Sequence, residues 1–240
     1  MNPITITENQ VPERWRLSVR VAWVAILFLL IGLIIVGLRP NIDELSTLCQ
    51  TESCRILTIT SGELEILQSY NLTLQIYIWY YFITEGILIF LFVTLAILIF
   101  WRMSHTWLGF IVSLALLFVG LVFFAEESRY VARAYPQTEA LVDVLTSMSV
   151  VLMLLLFYLF PDGRFTPRWM RWFAGALFAV AILEPFLNPG GAEATSASLI
   201  VIITFAVGAP MGLVSQIYRY RKVSNASQRQ QTKWILFGFL

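Results

Sequence analysis

The fold is decided by a polar turn between two long apolar runs, which reads Phe160-Pro161-Asp162-Gly163-Arg164-Phe165-Thr166-Pro167-Arg168-Trp169-Met170-Arg171-Trp172. Its early proline and glycine are typical of a tight turn. Thr166-Pro167 fits a helix start, with a hydroxyl N-cap and proline at the first helical position. Arg164, Arg168 and Arg171 lie close together, although cations in a first helical turn oppose the helix dipole. A negatively charged cytoplasmic membrane surface offsets that cost, at about 1 kcal/mol per basic residue, so we predict a cytoplasmic turn between two membrane-spanning helices.

The composition is that of an integral membrane protein. Hydrophobic residues make up 58% of the 240 residues, charged residues make up 13%, and the mean hydropathy is +0.76. Soluble domains carry about 25% charged residues. Because a spanning helix needs about 20 apolar residues, we predict an all-α polytopic membrane helix bundle. The six predicted spans are residues 21–38, 76–101, 107–125, 141–160, 172–187 and 199–218.

The basic residues predict the orientation, since short cytoplasmic loops carry an excess of Lys and Arg. Twelve of the sixteen fall on the side of the turn, including Arg219, Arg221 and Lys222 after the sixth span. The N-terminal segment 1–20 and the connector 219–240 are therefore expected in the cytoplasm. Residues 235–240 begin another apolar run, which we interpret as a truncated seventh helix.

Residues 39–75 form the predicted outer loop. Cys49 and Cys54 lie in it, where an oxidising compartment allows a disulfide; two free thiols are the alternative. Thr60 and Glu63 have the spacing of a capping box. We therefore expect a short helix on the outer surface.

Acidic residues inside apolar segments are costly and so indicate possible sites. Glu85, Asp143 and Glu184 fall in the outer parts of three predicted spans. If they face one another, they form an acidic pocket for a ligand or cation, with Arg129 or Arg133 as counter-ions. The alternative is that each carboxylate reaches water at its own helix end.

The sixth span carries further polar and flexible residues. Ser215 and Gln216 lie near its inner end, where such side chains form hydrogen bonds between helices. Gly208, Pro210 and Gly212 predict a kink and a candidate hinge. We find no nucleotide-binding or zinc-protease motif, and with His105 as the single histidine we expect no metal, no cofactor and no nucleic acid partner.

Two stretches resemble one protein family. The opening turn is similar to the FPDGRFxPRW turn, and residues 219–234 to the RYRxVS…RQQTKW element, in the multi-spanning N-terminal sensor regions of bacterial sensor histidine kinases. The first outer loop, with its paired cysteines and short helix, is also similar. The resemblance implies a membrane input module that works as a homodimer and passes a stimulus to a cytoplasmic output domain. The kinase core itself is absent from this sequence.

Two other functions stay open. The chain is also compatible with a small transporter or membrane-embedded enzyme that uses Glu85 and its neighbours, although no internal repeat of the transporter kind is found. An accessory subunit of a larger membrane complex would need no catalytic residues. The lipid bilayer is the expected surrounding in every case.

Overall fold

The computed structural model describes residues 10–49, 59–125, 127–161, 163–187 and 195–222, and it contains no β-strand within these ranges. The predicted all-α fold is confirmed. The α-helices are α1 (Glu13–Leu45), α2 (Ser61–Ser69), α3 (Leu74–Met103), α4 (Trp107–Phe118), α5 (Glu127–Ala134), α6 (Glu139–Leu159), α7 (Met170–Leu187) and α8 (Thr195–Lys222). A π-helical segment, Val119–Phe123, continues α4, and a 3-10 turn, Pro136–Thr138, precedes α6.

Several helices are long and apolar enough to cross a membrane. By length and composition α1, α3 and α6 with its preceding 3-10 turn qualify, and the count rises to four if α4 and α5 are one span bent by 59°. Large apolar side chains on these helices face outward, as Phe28 and Phe90 do. Such exposed apolar surface is far beyond the isolated patches of a soluble protein. The described helices are therefore compatible with a membrane protein.

Each predicted span corresponds to an observed helix, with one notable extension. The bounds of α3, α4 with its π-helical segment, and α6 differ from the predicted bounds by two residues or fewer. Helix α1 continues through Pro40 to Leu45, although we expected the span to end at residue 38. The extension is stabilised by packing, because Gly37 and Asn41 are buried against α5.

Two segments that connect predicted spans differ from simple loops or helix starts. Residues 127–140, between the third and fourth predicted spans, contain α5, whose Tyr130 and Val131 are buried. The prediction that a helix starts at Thr166-Pro167 is wrong, since α7 begins at Met170. Residues 163–169 instead form a turn whose backbone contacts α8.

Helix α6 connects two hydrophobic clusters. One is built from α1, α3, α4 and α6 and includes Trp23, whose ring stacks on Phe100 at a centroid distance of 4.1 Å. The other joins α6 to α7 and α8 and contains Tyr158 and Met170 in fully buried positions. Because α6 contributes to both clusters, it links α7 and α8 to the rest of the bundle.

The short helix α2 confirms its sequence signature. The backbone N–H of Thr60 donates to the Glu63 carboxylate at 2.8 Å, and the N–H of Glu63 donates to the Thr60 hydroxyl at 3.3 Å. These two bonds form the predicted capping box. The same bonds lower the pKa of the Glu63 carboxyl, with the backbone bond as the larger cause.

Candidate functional site at the end of α6

The turn after α6 begins with a glycine that the backbone requires. Gly163 has φ of 74°, in the left-handed region that side-chain-bearing residues rarely adopt. Its N–H donates to the carbonyl of Leu159 at 2.7 Å, so the chain folds back over the end of the helix. This confirms the turn predicted from the opening motif and brings the following arginine backbone close to α8.

Three side chains of α8 donate hydrogen bonds to backbone carbonyls at the end of α6 and in the turn that follows it. The Ser215 hydroxyl donates to the carbonyl of Thr166 at 2.6 Å. The Gln216 amide donates to the carbonyls of Phe157 and Phe160, the latter at 2.9 Å. We call this set of contacts, completed by Arg219, the α6–α8 cap. The interhelical hydrogen bond predicted for Gln216 is thus confirmed, whereas Ser215 binds the turn rather than a helix.

Arg219 forms the centre of the α6–α8 cap. Its guanidinium donates to the carbonyl of Phe160 at 2.9 Å, to that of Tyr158 at 3.2 Å and to that of Leu159 at 3.4 Å. A further bond reaches the carbonyl of Arg164 in the turn. The residue is 1% exposed. The sequence analysis grouped Arg219 with the membrane-surface cations, whereas the structure places it inside the protein.

The physical reason for this arrangement is the unpaired end of a helix. The last four carbonyls of an α-helix have no intrahelical donor, and they carry the negative end of the helix dipole. A planar guanidinium with five donors satisfies several of them at once and complements their charge. Gln216 and Arg219 together supply donors to Phe157, Tyr158, Leu159 and Phe160.

Helices α6 and α8 also approach each other closely one to two turns before Ser215 along α8. The Tyr158 hydroxyl donates to the carbonyl of Gly208 at 2.6 Å. A Cβ added at Gly208 would lie 2.5 Å from Leu154 Cδ1, and one at Gly212 would lie 3.0 Å from Phe157 Cβ. Both glycines therefore allow α8 to pack against α6. The hinge role of Gly208, Pro210 and Gly212 stays a prediction.

The structure describes the side chains of two of the three predicted acidic residues. Glu85 is buried in α3, and Asp143 is partly buried in α6. The side chain of Glu184 lies outside the described residues, so the three-carboxylate pocket stays a prediction. Within the described ranges, no group of three or more His, Cys, Asp or Glu side chains is arranged to hold a metal ion.

An unpredicted polar cluster lies where α5 packs on α1. The Asn41 amide donates to the buried carboxylate of Glu127 at 3.4 Å, and Arg133 forms an ion pair with Glu44 at 3.5 Å. We had considered Arg133 as a counter-ion for the intramembrane acids. Glu127 could not be singled out from the sequence because it lies at the edge of an eight-residue helix, which is too short for a clear hydrophobic period.

The remaining predictions concern the disulfide and the membrane-surface cations. Cys49 is disulfide-bonded, and Cys54, the only other cysteine in the sequence, lies outside the described residues. Arg168, Arg171, Arg221 and Lys222 are exposed, as a membrane-surface role requires.

Comparison with protein-family models, curated proteins and solved structures finds no match to this chain. The functional conclusion therefore depends on the residues themselves.

Proposed function

We propose that the chain is the membrane-embedded sensory input module of a histidine kinase-like signal-transduction protein. Its six spans cross the bacterial plasma membrane, both termini are cytoplasmic, and the module acts as a homodimer. A stimulus at the outer loops or within the bilayer changes helix packing, and α8 passes that change through the connector 219–240 to a cytoplasmic output domain. The resemblance of the opening turn and of the connector to sensor kinase regions supports this proposal.

The observation that carries the proposal is the α6–α8 cap. Helix α8 leads directly into the connector, and Arg219 is both the first connector residue and the centre of the cap. A shift of α8 by one residue rotates each side chain by about 100°. Such a shift would remove the donors of Ser215, Gln216 and Arg219 from their carbonyls together. The cap therefore favours discrete positions of α8, which is what a switching element needs.

The distribution of charge supports the proposed orientation. The α6–α8 cap lies at the same end of the bundle as exposed Arg168 and Arg171, and the Arg171 guanidinium lies 5.2 Å from the ring centre of Trp172. Tryptophan and basic residues at one level are typical of a membrane–water interface. This supports the proposal that the cap lies at the cytoplasmic surface, next to the expected output domain.

A chimera tests the proposal. Residues 1–240 are fused to the dimerisation and catalytic core of a characterised histidine kinase, and autophosphorylation is measured in membranes. If the cap favours one position of α8 by about 1.4 kcal/mol, Arg219→Gln changes the ratio of states about tenfold. We expect a clear change in phosphorylation for Arg219→Gln and none for the matched surface variant Arg221→Gln. Equal phosphorylation in wild type and both folded variants would refute the relay.

A further inference from the structure

The inner end of α8 has two chemically distinct faces. Gly212, Ser215 and Arg219 face α6 and are buried. The other face carries residues at positions i, i+3, i+4, i+7 and i+8, which form one stripe of a helix. These residues are Val214, Ile217, Tyr218, Arg221 and Lys222, and they line an open groove of about 310 Å³. We call this surface the α8 groove.

The order of chemistry along the α8 groove follows that of a phospholipid. Val214 and Ile217 are apolar and about half exposed; Tyr218 comes next, and Arg221 and Lys222 end the helix. From Tyr218 to Lys222 the helix rises about 6 Å. This matches the headgroup layer, which adds roughly 5–8 Å to each side of the hydrocarbon core.

The charge of the α8 groove selects the headgroup. Within the part of the chain that the structure describes, neither Arg221 nor Lys222 has a carboxylate within ion-pair distance. Two adjacent cations at the mouth of an apolar groove complement one phosphate group better than a zwitterionic headgroup, whose own ammonium competes for that phosphate.

We propose that the α8 groove is a binding site for one anionic phospholipid of the inner leaflet. The phosphate binds between Arg221 and Lys222, and an acyl chain lies along Ile217 and Val214. Each cation contributes about fivefold to affinity, so the pair contributes about 25-fold. The groove binds lipid whether or not α8 carries a signal, because the two faces use different residues.

Native mass spectrometry of the full chain in lipid-doped micelles tests this site. We expect wild type to retain one phosphatidylglycerol in preference to phosphatidylcholine. The double variant Arg221→Gln/Lys222→Gln should lose about 25-fold in that preference. The control Arg14→Gln/Arg168→Gln removes the same charge from exposed positions elsewhere and should lose less than threefold. The Ile217→Ser variant should weaken binding through the acyl chain.

Four results would overturn the proposal. Equal retention of the two lipids by wild type removes headgroup selection and needs no variant to interpret. Equal losses in the two double variants mean general surface attraction. Displacement of the lipid by millimolar inorganic phosphate means that the acyl chain is not bound. A dimer that dissociates in Ile217→Ser, with lipid binding unchanged, means that a second copy of the chain covers the groove.

Discussion

Replacing Arg219 by leucine removes the centre of the α6–α8 cap while keeping an apolar stem. The change leaves the carbonyls of Tyr158 and Phe160 without the guanidinium bonds of 3.2 and 2.9 Å. Water cannot replace those bonds easily, because the residue is 1% exposed. We therefore expect Arg219→Leu to lower the free energy of unfolding substantially.

The magnitude follows from the number of bonds. A hydrogen bond to a charged group contributes about 1.5–3 kcal/mol, and leaving a buried carbonyl unsatisfied costs about 1–3 kcal/mol. Counting only the bonds to the carbonyls of Phe160 and Tyr158 gives about 3 kcal/mol as a lower bound. Arg219→Lys retains one charge but loses the planar fork, so it should lose about half of this.

Unfolding in mixed micelles, followed by tryptophan fluorescence, measures the loss. The control Arg221→Leu removes an exposed cation from the same helix end and should change the free energy of unfolding by less than about 0.5 kcal/mol. If Arg219→Leu and Arg221→Leu are equally stable, the buried guanidinium does not stabilise the end of α6 and the reasoning fails.

Two further predictions concern α1 and α2. A Cβ added at Gly37 would clash with the backbone oxygen of Glu127, so Gly37→Ala should destabilise by about 1–3 kcal/mol. The control Gly32→Ala, whose added Cβ has nothing within 4 Å, should be neutral or stabilising in the same unfolding assay. The lowered pKa of Glu63 means that the capping box stabilises α2 above the ordinary carboxyl pKa of 4.5 and loses this as pH falls through the lowered value. The protection of the α2 amides from hydrogen exchange, relative to the intrinsic exchange rate at each pH, should therefore fall in acid, and Glu63→Gln should remove that dependence; an unchanged acid response in the variant would contradict it.

The helices were predictable because their signals are local. Long apolar runs and the Thr60–Glu63 spacing depend on neighbours in sequence, and α3 and α2 confirm them closely. Pro40 is different: proline usually ends a helix, yet α1 passes through it because the following turns pack against α5. That packing is a tertiary effect which no local pattern contains.

The candidate site was predictable only in part. Ser215 and Gln216 stood out because polar side chains in an apolar helix seek partners. Arg219 did not, since a cation at the end of a membrane helix is usually at the surface. Its burial depends on Gly208 and Gly212, four residues apart on the same face of α8, which bring the two helices close enough for the cap to form. The spacing of these two glycines was the feature of the sequence that could have indicated this close packing.

The most direct test of the account is whether the end of α6 and the inner half of α8 pack as described. Phe157→Cys/Gly212→Cys, with Cys49 and Cys54 replaced by serine, places two Cβ atoms about 3.0 Å apart, a small shift from disulfide geometry. The control pair Phe157→Cys/Val214→Cys puts the second thiol on the exposed face. Under mild oxidation in membranes we predict nearly complete crosslinking of the first pair and little of the control. Equal crosslinking of both pairs would contradict the packing on which the cap and the proposed relay depend.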